Sequence, residues 1–162
     1  MTRRVAILVD GISLFHGLEH RTLSFNSFKD WLADGDEVVF AGYFNSVNNK
    51  FRKKQFFDHV ARSGFTLYIR STYYNSELGR QKLYNVTSDM IAEGLRVLDE
   101  VDKLVIVSGK ADLLTLVEKY RLSSKEVEVV QYLHNNHSLL DDYTTRHVSD
   151  YFNHLEKKYI YK

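Results

Sequence analysis

The chain has neither cysteine nor proline among its 162 residues. Without cysteine there is no disulfide framework and no thiolate metal site, which fits a reducing cytoplasm. The missing proline carries no functional reading of its own. Net charge is only +1, so bulk electrostatics do not announce a nucleic-acid partner, and any basic surface must come from local clustering. Long hydrophobic runs are missing too. The first, Val5 to Val9, stops at Asp10, too soon for a secretory signal or a membrane span. The expectation is a cytoplasmic protein with no membrane partner. What is present is an ordinary globular mixture, 44% hydrophobic and 27% charged, of a size that suits one domain over residues 1–162 with a real core. Aromatics are plentiful, with 11 Tyr and 10 Phe. Most belong to a core, and tyrosines beside a basic loop also suit stacking on bases.

Val5-Ala6-Ile7-Leu8-Val9 is too short for a helix and reads as a strand buried on both faces, closed by Asp10-Gly11. Further strands are expected at Glu37–Phe44, Phe65–Ile69, Lys103–Val107 and Val127–Leu133. Helical spacing recurs between them: at Ile12–Leu18, around Phe28, Trp31 and Leu32, and over Val47–Ser63, with Gly64 as its stop. It returns at Val86–Leu98, Leu113–Tyr120 and Ser138–Leu155. A polar, aromatic connection joins Ile69 to the helix at Val86. Alternating strands and helices imply βαβ units, hence a parallel sheet covered on both faces.

Two of these strands end in acids. Asp10 follows Ile7-Leu8-Val9, and Asp112 follows Val105-Ile106-Val107. Ligands of open α/β sheets bind outside the carboxyl ends of the strands, so both carboxylates are candidates for one crevice. Asp10 is equally suited to capping the next helix, and both readings stand at this point. Asp89 is a third candidate, with Asn85 and Glu93 one turn to either side on the same helical face. Clustered carboxylates suit Mg²⁺ or Mn²⁺, which activate water and stabilise the leaving oxygen in phosphodiester cleavage.

At these residues the chain resembles the NYN domains of the PIN-like nuclease superfamily. Val5–Gly11 resembles the family's strand ending in Asp-Gly. Val105-Ile106-Val107-Ser108-Gly109, continuing to Asp112, resembles its Ser-Gly-Asp-x-Asp-Phe loop. Ser138-Leu139-Leu140 with Ser149-Asp150-Tyr151-Phe152 and Leu155 resembles its C-terminal helix, and Phe57 through Gly64-Phe65 its helix-Gly-strand joint. The resemblance spans almost the whole chain. It implies a PIN-like (Rossmann-like) three-layer α/β/α sandwich, a divalent metal held by Asp10, Asp89 and Asp112 in catalytic roles, and RNA as the substrate.

The chain also departs from the pattern. Ser13 stands where Asn usually follows Asp-Gly-x, Leu113 replaces the Phe, and Lys110 replaces the first acid of the loop. Exchanging a carboxylate for an ammonium opposes a dication by roughly 4 kcal/mol per unit-charge pair at 4 Å and intermediate dielectric. A lysine paired with Asp10 or Asp112 would stand in for the metal, and lysine also contacts phosphate well; a Lys110 turned to solvent would instead leave the remaining acids to hold the metal. Expected nucleic-acid contacts are Ser13, Lys50, Arg52, Lys53, Lys54, Arg80, Lys82, Tyr84 and Lys110. Three functions fit: an RNA-cleaving enzyme using Mg²⁺ or Mn²⁺, an RNA-binding pseudonuclease without metal, and a protein-interaction module. A homo-oligomer or protein partner is compatible with each.

Overall fold

A computed structural model describes residues 2–18, 21–47, 53–82, 85–132 and 139–160. The strands are β1 (Arg4–Asp10), β2 (Glu37–Val47), β3 (Thr66–Ser71), β4 (Tyr73–Asn75), β5 (Arg80–Lys82), β6 (Lys103–Val107), β7 (Glu126–Gln131) and β8 (Thr144–His147). The helices are α1 (Gly11–Gly17), α2 (Phe25–Ala33), α3 (Lys54–Arg62), α4 (Thr87–Arg96), α5 (Leu114–Leu122) and α6 (Val148–Ile160). Six strands form one parallel sheet in the order β3-β2-β1-β6-β7-β8, and β4 and β5 form a separate antiparallel hairpin.

The apolar runs explain the centre of that order. Val5 to Val9 and Leu104 to Val107 are all 0% exposed, and each Val, Leu or Ile side chain among them stabilises the fold by about 1.5–3 kcal/mol on burial. Alternation then splits the core in two. Val5, Ile7, Val9, Val105 and Val107 pack with Leu14, Phe28, Leu32, Val60 and Tyr151, from α1, α2, α3 and α6. Ala6, Leu8, Leu104 and Ile106 pack on the other face with Met90, Leu116, Val117 and Tyr120, from α4 and α5. The result is the expected three-layer α/β/α sandwich.

The chain builds outward from β1 through β2 to β3, then crosses to β6 and builds the other way. The strand order therefore reverses between β1 and β6, the position at which open α/β sheets form a ligand crevice.

Three stretches differ from their expected form. Val47 closes β2, in register with Ser71, and α3 begins only at Lys54. The connection after β3 holds the β4–β5 hairpin. The helix expected over Ser138–Leu155 is replaced in its first half by β8, which pairs with β7 through Thr144, Arg146 and His147. The cause is Glu128 on β7. Its carboxylate accepts a hydrogen bond from Thr145 Oγ1 at 2.6 Å and pairs with the Arg146 guanidinium, whose other nitrogens donate to the carbonyls of Trp31 (2.6 Å) and Leu32 (2.9 Å). Those long-range bonds outweigh a helical spacing of Tyr143, Val148 and Tyr151. The ends expected at Leu133 and Ser138 lie outside the described residues.

Candidate functional site

Asp10 is the last residue of β1 and is fully buried. Its Oδ1 accepts the backbone N–H of Ser13 at 3.2 Å, which makes it the N-cap of α1. Its Oδ2 accepts the hydroxyls of Ser13 (2.9 Å) and Ser108 (3.0 Å), and Lys110 Nζ stands 3.4 Å from the same oxygen. Both readings of Asp10 thus hold together: it caps a helix and it meets the end of β6 at the switch point. A buried carboxylate is costly unless hydrogen-bonded and paired, and here it is both.

The surrounding backbone is fixed by further buried groups. The Tyr132 hydroxyl is shared between the carbonyls of Val107 (2.8 Å) and Asp10 (3.1 Å), clamping the ends of β6 and β1. Burial, and then the charge of Asp10, push that hydroxyl well above its usual pKa, so it remains a donor. The Ser108 hydroxyl also accepts the backbone N–H of Lys110 at 3.2 Å, which holds the loop close to Asp10. Gly11 lies against the Tyr43 ring, where an added Cβ would come within 2.4 Å. Tyr43 is buried and its hydroxyl accepts from Asn45 Nδ2 at 3.2 Å.

The other two acids are placed differently. Asp89, in the first turn of α4, receives both arms of the Arg70 guanidinium at 2.9 Å each. Glu93 pairs with Arg96 at 2.6 Å, and Asn85 accepts from the Thr87 backbone N–H (3.0 Å) and hydroxyl (2.5 Å). Asp112 sits on the single turn of 3₁₀ helix after β6 and is exposed. Among the described residues, no group of three or more His, Asp or Glu side chains is arranged to hold a metal ion.

This donor set does not fit a divalent cation. The Oδ2 of Asp10 already meets two hydroxyls and an ammonium, and Asp89 is committed to a bidentate guanidinium. A dication beside Asp10 would face Lys110 at close range, opposed by roughly 4 kcal/mol per unit-charge pair at 4 Å. The geometry instead offers a lysine held by a buried acid at the strand ends and still 36% exposed. An ammonium carries three N–H donors, so Lys110 has donors left for an anionic oxygen.

A family model described as the NYN domain matches residues 4–152. The chain belongs to the NYN domain family. Among solved structures, this NYN domain is similar to a protein of unknown function, VPA0982, from Vibrio parahaemolyticus. The two are 23% identical over 91% of this chain and 92% of that one, with a TM-score of 0.73. At that identity the likeness establishes the fold alone. A structure of SIR2 with the inhibitor EX-527, 2'-O-acetyl-ADP-ribose and deacetylated p53 peptide is 12% identical over 97% of this chain and 94% of that one. Its TM-score is 0.45, and it carries no argument. No curated protein matches at a significant level.

Among the described residues, the expected basic contacts lie on separate elements. Lys110 and Ser13 are at Asp10. Lys53 stands at the start of α3, with Nζ 5.2 Å from the centre of the Phe15 ring. Lys54 is paired with Asp58 at 2.7 Å along the same helix. Arg80 is exposed at the start of β5. Lys50, Arg52 and Tyr84 lie outside the described residues, as does the side chain of Lys82. Sequence reasoning did not assign Ser108, Tyr132 or Arg70 to the site. Ser108 was within reach, since it opens the Ser-Gly loop beside the acid. Arg70 and Tyr132 gave no local signal, because their partners lie far along the chain.

Among the described residues no helix is long and apolar enough to cross a membrane.

Proposed function

We propose that this NYN domain binds single-stranded RNA across the carboxyl ends of its parallel strands, and that Lys110 holds the place a catalytic cation takes in an active relative. The observation that carries the reading is the 3.4 Å contact between Lys110 Nζ and Asp10 Oδ2. Negative charge is what a PIN-like centre needs to hold Mg²⁺ or Mn²⁺ beside a phosphodiester. The buried carboxylate is already answered here by the chain's own ammonium. Asp10 positions Lys110, Ser13 and Ser108 fix Asp10, and the remaining N–H groups of Lys110 bind a phosphate oxygen. Bound RNA is held and not hydrolysed, so the domain acts as a pseudonuclease.

A binding and cleavage assay on wild type, Lys110→Ala and Asp10→Asn tests this. Wild type is expected to bind single-stranded RNA and leave it intact in Mn²⁺, with weaker binding in Lys110→Ala. Metal-dependent cleavage by wild type, lost in Asp10→Asn, would refute the reading and make the domain an enzyme.

A further inference from the structure

A second set of groups lies where Phe15 of α1 meets the start of α3. Phe15 is 66% exposed and Phe56 39% exposed, and with Lys53 and Gln55 they line an open cavity of ≈ 350 Å³. That volume is near the lower end of the roughly 300–1,000 Å³ range of small-molecule sites, so it suits one planar group and not an extended ligand. Phe56 is held by edge contacts with Phe25 (5.7 Å) and Tyr43 (6.1 Å) and a tilted contact with Phe57 (5.5 Å), measured between ring centres. It is therefore a fixed wall. Lys53 stands over the Phe15 ring at 5.2 Å.

We infer that Phe15, Phe56 and Lys53 form a nucleobase-stacking subsite for single-stranded RNA, an inference that rests on the RNA reading above. A cavity lined by two partly exposed aromatic rings, with a cation over one of them, fits a ligand that is planar, apolar on its faces and attached to an anion, which describes a nucleotide in a single strand. Stacking on aromatic side chains beside a basic groove is a general means of holding such strands without reading sequence. Placement agrees with this. Residues two apart on a helix point to different sides, so Ser13 turns toward Asp10 while Phe15 turns toward α3. Phe44 pairs with Asp10 in register, and β2 then continues to Val47 before α3. A strand of RNA running from Lys110 to Lys53 would cross the ends of β6, β1 and β2 in that order, with a phosphate at one end and a base at the other.

The test is fluorescence anisotropy with a labelled oligoadenosine and an abasic oligomer of equal length, on wild type, Phe15→Leu and Phe15→Tyr. Phe15 is exposed, so leucine there leaves the fold intact. Phe15→Leu is expected to weaken oligoadenosine binding by about fivefold or more, to leave the abasic oligomer unchanged, and to be rescued by Phe15→Tyr. Wild type binding both oligomers equally, or Phe15→Leu binding oligoadenosine like wild type, would overturn the subsite while leaving the RNA reading in place. No binding of either oligomer by wild type would overturn both. Self-association in sedimentation that disappears in Phe15→Leu, with RNA binding unaltered, would assign the patch to protein contact and overturn the inference.

Discussion

Asp10 and Lys110 form a pair of unequal burial, and that inequality sets what each can do. Asp10 is fully buried and cannot leave, whereas Lys110 is 36% exposed and can meet a ligand. An exposed pair is worth about 1 kcal/mol at most, and breaking a fully buried one costs about 3–5 kcal/mol. Lys110→Met should therefore destabilise the fold by about 1–3 kcal/mol in urea titration, because Asp10 keeps its three hydrogen bonds but loses its cation. A midpoint equal to wild type would mean that the contact has no energetic content. The sequence put Lys110 within reach of two strand-end acids but left open whether it turns inward or to solvent, and the contact with Asp10 Oδ2 selects the inward turn. The Arg70–Asp89 pair was not, because nothing local to either residue announces a contact between the end of β3 and the start of α4.

At the scale of elements, α1 is seated by a close approach. An added Cβ at Gly11 would meet the ring of Tyr43, a buried residue of β2. Overpacking of this kind typically costs about 1–3 kcal/mol. Gly11→Ala should lower the urea midpoint and, by shifting α1, weaken RNA binding through Ser13 and Phe15 together. Unchanged stability would show that Tyr43 does not pack there. The central strands, the alternation that divides the core, and Gly64 at the end of α3, with φ +93°, could all be read from residue type and spacing. β8 could not. Tyr143, Val148 and Tyr151 repeat as a helix would, and only the meeting of Thr145 and Arg146 with Glu128 selects a strand. The β4–β5 hairpin was missed for a related reason: its residues are polar and lack the alternation that marks a half-buried strand.

At the scale of the whole molecule, charges among the described residues meet in networks that join separate strands. Lys103, only 5% exposed, lies 3.0 Å from Glu128, which also meets Arg146. Burial would raise the pKa of Glu128, but hydrogen bonds from Arg146, Thr145 and Lys103 outweigh it, and the net direction is down from 4.5. A carboxylate lowered on folding contributes stability above its unfolded pKa and loses it as pH falls through the folded value. The melting temperature should therefore hold near neutrality and fall below about pH 4.5. In Glu128→Gln that acid dependence should be shallower, and an identical pH profile would remove Glu128 from the network. RNA affinity, resting on a few lysines, should fall with salt at a modest slope, about 0.7 per phosphate contact on a logarithmic scale. Lys110→Met should reduce that slope, and a salt-independent affinity would refute phosphate contact. The most direct test of the account is the melting temperature of wild type and Lys110→Asp with and without Mn²⁺. Binding to the native state alone raises stability with ligand concentration. Wild type should show no Mn²⁺ dependence. Lys110→Asp should melt lower without metal, from two acids facing each other, and recover with Mn²⁺. A wild type stabilised by Mn²⁺ as strongly as the variant would contradict the claim that Lys110 fills the cation's place.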